Sequence, residues 1–133
     1  GRRRPHESVV NKILERLMLV EKRVNDIEIF SCCGVGAINF RHPSSDKKHG
    51  INNRFRSNDI VKKYGSDCLI GGDLNIGALD LHCLIRKQCL ALRIPPDNIH
   101  HDQVDTARDQ DRFFSRRGGD KTGSNTILVI RRA

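Results

Sequence analysis

The stretch Arg112-Phe113-Phe114-Ser115-Arg116-Arg117-Gly118-Gly119-Asp120-Lys121-Thr122-Gly123-Ser124-Asn125 gathers the groups that bind anions. Gly118-Gly119 opens backbone angles closed to other residues, so amides there can converge on a ligand. Arg116 and Arg117 carry planar forks that match phosphate or carboxylate. Ser115, Thr122 and Ser124 add hydroxyls. The same composition also suits a β-hairpin turn with its charges in water, and the residues alone leave both readings open. A Walker loop is excluded, because the Gly-Lys-Ser/Thr ending and its spacing are missing.

Three other groups bear chemistry-capable side chains. His100-His101-Asp102, followed by Asp105-Thr106, offers imidazoles and carboxylates for metal binding or proton transfer. Neighbours on a strand point to opposite faces, so His100 and His101 are poorly placed to share one ion. Asp105, Thr106 and Asp109 also suit an ordinary turn or helix start. His82 and Cys89 lie seven apart and share a helical face, which is too few ligands for zinc. Cys89 reads as a small packed hydrophobe. Cys32-Cys33 sits in an apolar run and reads as buried strand, not as a nucleophile, which would need a base and a polar setting.

These groups must be held by the surrounding elements. Val9, Val10, Ile13, Leu14, Leu17 and Val24 recur at helical spacing, with charges between them, and predict an amphipathic helix over residues 7–22. Ile27–Cys33 predicts a buried strand ended by Gly34 and Gly36, with a short second strand at Ala37–Phe40. Residues 41–57 read as a polar loop. Ser57 or Asn58 caps a short helix through Lys63-Tyr64, with Gly65 as its stop. Cys68-Leu69-Ile70 is a short apolar run. Asp80 opens a second clear helix whose face is Leu81, Leu84, Ile85, Gln88, Cys89 and Leu92, and Pro95-Pro96 ends it. Ile99–Val104 and Arg112–Ser115 are candidate strands. Thr126–Ile130 is the strongest strand pattern, continuous and β-branched. Alternating helices and buried strands imply α/β layers.

At 133 residues the chain reads as a single domain, long enough to bury a core without staples. With five Phe, one Tyr and no Trp, that core must rest on Leu, Ile and Val. No apolar run approaches the ~20 residues of a membrane span. An odd five cysteines fits reduced thiols and a cytoplasmic setting. The formal charge of +8 suggests an anionic partner. The basic pairs are scattered and lack interleaved aromatics, so a solvated surface accounts for most of them and nucleic acid is the less favoured partner.

The order of motifs resembles the C-terminal half of the YfiH-like laccase-domain family, also called polyphenol oxidase. The resemblance rests on Ile27–Cys33 with Gly34, Gly36, Ile38 and Phe40. It continues through Asp80-Leu81 opening a helix with Arg86 and Gln88, and through the loop Asp102 to Thr106. It ends on Phe113-Phe114-Ser115-x-Arg117 with Thr122-Gly123, the most specific of these motifs. Asp105 and Ser124 stand where the family usually has Cys and Arg, and the Pro after Gly34 is missing. The resemblance implies a layered α/β sandwich with mixed β-sheet and flanking helices, of which residues 1–133 are the C-terminal part. It implies purine nucleoside phosphorylase or adenosine deaminase activity, with purine nucleoside and phosphate as ligands. Ser115, Arg116, Arg117, Thr122 and Gly123 then contribute to an anion or nucleoside pocket, and Asp105 positions a hydroxyl or acts as a base. The family's zinc or copper is held by two His and one Cys of an N-terminal half, so this chain is expected to supply no metal ligand. The alternative is a non-catalytic basic module that binds nucleic acid or an acidic partner.

Overall fold

The computed structural model describes residues 9–20, 23–32, 34–123 and 125. Five regular elements follow in order: α1 (Val9–Val20), β1 (Ile29–Ser31), α2 (Gly50–Tyr64), α3 (Leu81–Ala91) and β2 (Ile99–His101), joined by 3₁₀ turns. β1 and β2 pair in parallel, with Ile29 opposite Ile99, Phe30 opposite His100 and Ser31 opposite His101. Isolated antiparallel bridges join Arg41 to Ala78 and Leu69 to Leu79. The described residues therefore form an α/β fold around a small parallel sheet.

α3 is the wall shared by two cores. Leu14 of α1, Ile27, Cys89 of α3, Ile94 and Ile99 of β2 form the first, with Val10, Met18, Val24, Ile29, Ile85 and Leu92 packed around them. Cys68, Leu69 and Leu79 form the second, covered by Phe40, Ile60, Val61, Tyr64, Leu81 and Leu84 among others. The α3 start follows its sequence signal: the Asp80 side chain accepts a hydrogen bond from the Cys83 amide at 2.9 Å. At its other end Arg93 takes a left-handed φ of 65°, and the Ile94 amide returns to the Cys89 carbonyl at 3.1 Å. Pro95 follows, as expected.

Several local expectations are corrected. The first helix is described from Val9 to Val20. Its predicted core face is narrower than its apolar stripe: Leu14 is buried, whereas Ile13 is 60% and Leu17 41% exposed. β1 keeps only Ile29–Ser31 of the predicted strand, and Cys32 beyond it is exposed, which overturns the buried reading at that residue. Ala37–Phe40 is a turn, with the Asn39 and Phe40 amides both returning to the Gly36 carbonyl. β2 stops at His101. Arg112–Ser115 is irregular, since the Phe113 amide closes a turn on Asp109.

The largest departure is α2, which starts at Gly50 inside the predicted loop and runs to Tyr64. Asp46 nucleates it: one carboxylate oxygen accepts from the Lys48 and His49 amides, and the Asp46 carbonyl accepts from Gly50. Polar residues line the inner face of its first half, before Ile60, Val61 and Tyr64 reach the second core. Asn53 and Ser57 are buried, and the Asn53 side-chain amide donates to the Pro43 carbonyl at 3.0 Å. A helix anchored by such bonds leaves no hydrophobic periodicity to read. Gly65, at φ 100°, ends it as its glycine signal indicates. The Thr126–Ile130 strand lies outside the described residues.

Candidate functional site

Parallel pairing brings Ser31 and His101 side by side at the carboxyl ends of β1 and β2. This end of a parallel sheet is where α/β folds place ligands, because helix N-termini converge there. The N-terminus of α3 delivers His82 to the same place. The Ser31 hydroxyl and His82 Nδ1 are 2.9 Å apart, and the His82 and His101 rings lie 5.2 Å apart at a 31° tilt. His100 points elsewhere: it stacks on Phe30 at 4.7 Å and meets Glu28 Oε2 at 2.6 Å. The two adjacent histidines therefore have separate surroundings. Ser31 and Cys32 also line an apolar groove of about 340 Å³ with Val10, Ile13, Ile29 and Ile85.

The chain beyond each strand continues this surface. The Thr106 amide donates to the Gly34 carbonyl at 3.0 Å. One residue earlier, Asp105 clasps the opposite turn. Its Oδ1 accepts from the Gly36 amide at 2.9 Å and the Ala107 amide at 3.0 Å, and its Oδ2 accepts from Asn39 Nδ2 at 2.8 Å. Partial burial pushes the Asp105 carboxyl up, but these donors and nearby Arg108 prevail and hold it below the ordinary range. Gly36 has to lack a side chain, because a Cβ there would lie 2.4 Å from Asp105 Oδ2.

The glycine-rich turn closes on the same segment. Ser115 is buried, and its hydroxyl and carbonyl both accept from the Gly118 amide, at 3.3 and 3.0 Å. The Ser115 amide donates to Asp120 Oδ2 at 2.6 Å, and the Asp120 amide returns to the Ser115 carbonyl at 3.0 Å. Asn125 fastens the approach through two bonds to the Phe114 backbone. Arg117 reaches across to donate to the Arg41 carbonyl at 3.1 Å, and its guanidinium lies 5.2 Å over the Phe40 ring. Phe40 in turn meets His42 edge-on at 4.6 Å. Burial first, then the charges of Arg117 and Arg56, hold the His42 pKa below its ordinary value. Arg116, Thr122 and Gly123 are exposed or partly exposed on the outer side of the turn, with Gly123 at φ 112° against Phe114.

Of the residues expected from sequence, Asp105 and Arg117 thus converge on the single turn from Gly36 to His42, Ser115 is buried inside its own glycine-rich turn, and Arg116, Thr122 and Gly123 are exposed. The Ser31–His82–His101 group was not expected. Its members are 51 and 19 residues apart, and only the strand register and the α3 N-cap unite them.

Metal-capable groups can now be compared. Among the described residues, one set of three His, Cys, Asp or Glu side chains has its donor atoms mutually within 4.8 Å: Asp67, Cys68 and Cys83. A family model described as multi-copper polyphenol oxidoreductase laccase matches residues 1–132. The chain belongs to that family. Comparisons with curated proteins and with solved structures give no match.

The family's name implies copper. A copper cluster of that kind calls for several imidazoles facing one another. His82 and His101 face one another without a third donor, and His100 is engaged by Glu28. His49, at the start of α2, belongs to no donor triad among the described residues. The histidines described here do not fit a multi-copper centre.

Proposed function

We propose that this chain forms the nucleoside- and phosphate-facing portion of a laccase-domain enzyme acting on purine nucleosides. The observation that carries the reading is the basic, aromatic-backed surface made by Arg117, Phe40, Arg41 and His42, on the chain that continues from β1, at whose carboxyl end Ser31, His82 and His101 gather. Guanidinium and aromatic faces suit a purine ring, and Arg116 and Arg117 suit phosphate. In phosphorolysis a phosphate oxygen bonds to C1′ of the nucleoside, the bond from C1′ to the purine nitrogen breaks, and the base leaves with its electron pair. Arginine charge offsets the anion as it approaches and reacts. In deamination, water adds at C6 of adenine and ammonia departs. The first makes the protein a transferase, the second a hydrolase.

Ser115 serves by shaping the turn, because its hydroxyl is held by Gly118. Thr122 and Gly123 border the ligand. Of the two roles for Asp105, the clasp on Gly36 and Asn39 favours positioning over proton abstraction. A carboxylate held ionised by three donors is a weak base near neutral pH. The layered sandwich with a mixed sheet is part of this reading. So is a cytoplasmic setting, supported by the free thiols of Cys32, Cys68, Cys83 and Cys89. Among the described residues, no helix is long and apolar enough to cross a membrane.

The test is calorimetric titration of the chain with inosine and with inorganic phosphate, followed by an assay for phosphate-dependent hypoxanthine release. The assay is repeated with the chain joined to the metal-ligating half of a family member. Nucleoside binding that Arg117→Ala weakens by about tenfold or more, the loss of one charged contact, supports the proposal. Absence of nucleoside and phosphate binding, together with RNA binding that collapses steeply with salt, replaces it with the basic-module reading.

A further inference from the structure

The geometry points to a zinc site at Asp67, Cys68 and Cys83, separate from the nucleoside-facing surface. Cys68 closes the 3₁₀ turn Ser66–Cys68, and Cys83 lies in the first turn of α3. Two unrelated elements thus direct thiols at each other, and the sulfurs stand 3.6 Å apart. Two thiolates on a tetrahedral zinc, each at about 2.3 Å, are separated by roughly 3.8 Å. The pair therefore needs to open by only about 0.2 Å to take zinc. To close a disulfide it would have to shorten to about 2.05 Å, a much larger movement for a fully buried Cys68 wedged in the second core.

Asp67 supplies the oxygen donor, its ligand atom lying within 4.8 Å of both sulfurs. Lys87, one turn beyond Cys83, is ion-paired with Asp67 Oδ1 and donates to the Tyr64 carbonyl at 2.6 Å. That lysine completes the charge balance. Two thiolates and a carboxylate around a divalent ion leave one negative charge, and the Lys87 ammonium offsets it. It also orients the carboxylate, as outer partners of metal ligands do. The fourth tetrahedral position is left for water. Access is from the Asp67 side, where the carboxylate is 64% exposed. Zinc here would fasten the Ser66–Cys68 turn to the start of α3, the helix shared by both cores.

The experiment equilibrates the reduced full chain with zinc, removes free metal by gel filtration, and measures bound zinc by plasma emission. A parallel sample takes cobalt. One zinc per chain is expected, with a near-ultraviolet thiolate-to-cobalt charge-transfer band and a thermal midpoint that rises with zinc concentration. Cys83→Ser abolishes the band. Asp67→Asn and Lys87→Met weaken zinc binding by about tenfold or more. Cys89→Ser and His82→Ala leave both band and stoichiometry intact. A wild-type chain that takes up cobalt without a thiolate band overturns the proposal, whatever the variants do. So does a chain that loses two free thiols in air with a mass decrease of two hydrogens and then excludes zinc. A band that survives Cys83→Ser also overturns it.

Discussion

Replacing Asp105 by Ala removes the acceptor for three donors at once. The Gly36 and Ala107 amides lose Oδ1, at 2.9 and 3.0 Å, and Asn39 loses Oδ2, at 2.8 Å. A bond to a charged acceptor contributes about 1.5–3 kcal/mol when its donor is left fully buried, and about 1–2 kcal/mol when the donor is only partly buried. Asn39 is exposed and finds water instead, so its share is small. The two partly buried amides decide the magnitude, which comes to about 2–4 kcal/mol, or roughly 8–16 °C in melting temperature for a chain of this size. Asp105→Asn keeps an acceptor for both amides and loses the charge and the bond from exposed Asn39 Nδ2, so about 1 kcal/mol is expected.

The pH dependence fixes the cause. The folded-state pKa of Asp105 is lowered, so its contribution is fully present above the unfolded value, about pH 4, and is lost as pH falls through the folded value. Urea unfolding of the wild type and Asp105→Ala should therefore give a gap that is constant from about pH 8 to pH 5 and shrinks below about pH 4. A melting temperature within about 1 °C of wild type, or a gap that widens in acid, refutes the clasp.

Three further outcomes follow from other contacts. Arg117→Gln removes one of the charges that, after burial, lower the His42 pKa, so the His42 ring resonance should titrate at higher pH in the variant; an unmoved titration would place Arg117 away from Phe40 and His42 in solution. Arg93→Gly relieves a left-handed φ of 65° at the end of α3 and should stabilise the chain by about 0.5–1 kcal/mol, read by urea midpoint at unchanged slope. Exposed Cys32 should react with a thiol reagent at once, and buried Cys89, whose pKa burial pushes up, only as the chain opens; equal rates for the two would contradict the packing of the first core.

What the sequence revealed and what it concealed divide on a physical line. α3 was legible because its signals are local: Asp80 as cap, an apolar stripe through Cys89, and Pro95 beyond. Asp105 and Arg117 were legible as residue types in a recognisable motif order, but not their meeting place. That place is a turn some 70 residues earlier, reached by hydrogen bonds that leave no periodic trace. The first half of α2 was misread because Asn53 and Ser57, not hydrophobes, face inward there. Cys32 was misread because an apolar neighbourhood in sequence does not guarantee burial once β1 ends at Ser31. The Ser31–His82–His101 group and the Cys68–Cys83 pair depend on register and helix placement, which no window of adjacent residues encodes.

If the Asp105 clasp is what couples the turn at Gly36 to the C-terminal loops, a double-mutant cycle should show a change of sign. Gly36 has no left-handed φ, so a methyl group there is excluded by space alone: its Cβ would sit 2.4 Å from Asp105 Oδ2 and 2.7 Å from Cγ. In the wild type, Gly36→Ala must therefore displace the carboxylate, and it forfeits much of the same 2–4 kcal/mol that Asp105→Ala does, to within about 1 kcal/mol. In the Asp105→Ala background the obstructing oxygens and Cγ are gone, and only the Cβ at position 105, 3.1 Å from the new Cβ, has to give by a few tenths of an ångström. Adding a Cβ at Gly36 then mainly restricts the unfolded chain, which is neutral or stabilising by about 0.4–1 kcal/mol. The coupling between the sites should reach about 2 kcal/mol, well above the additivity error of independent residues. Two destabilisations that simply add would mean that Gly36 and Asp105 act separately, and that the turn at Gly36 is not held to the C-terminal loops through them.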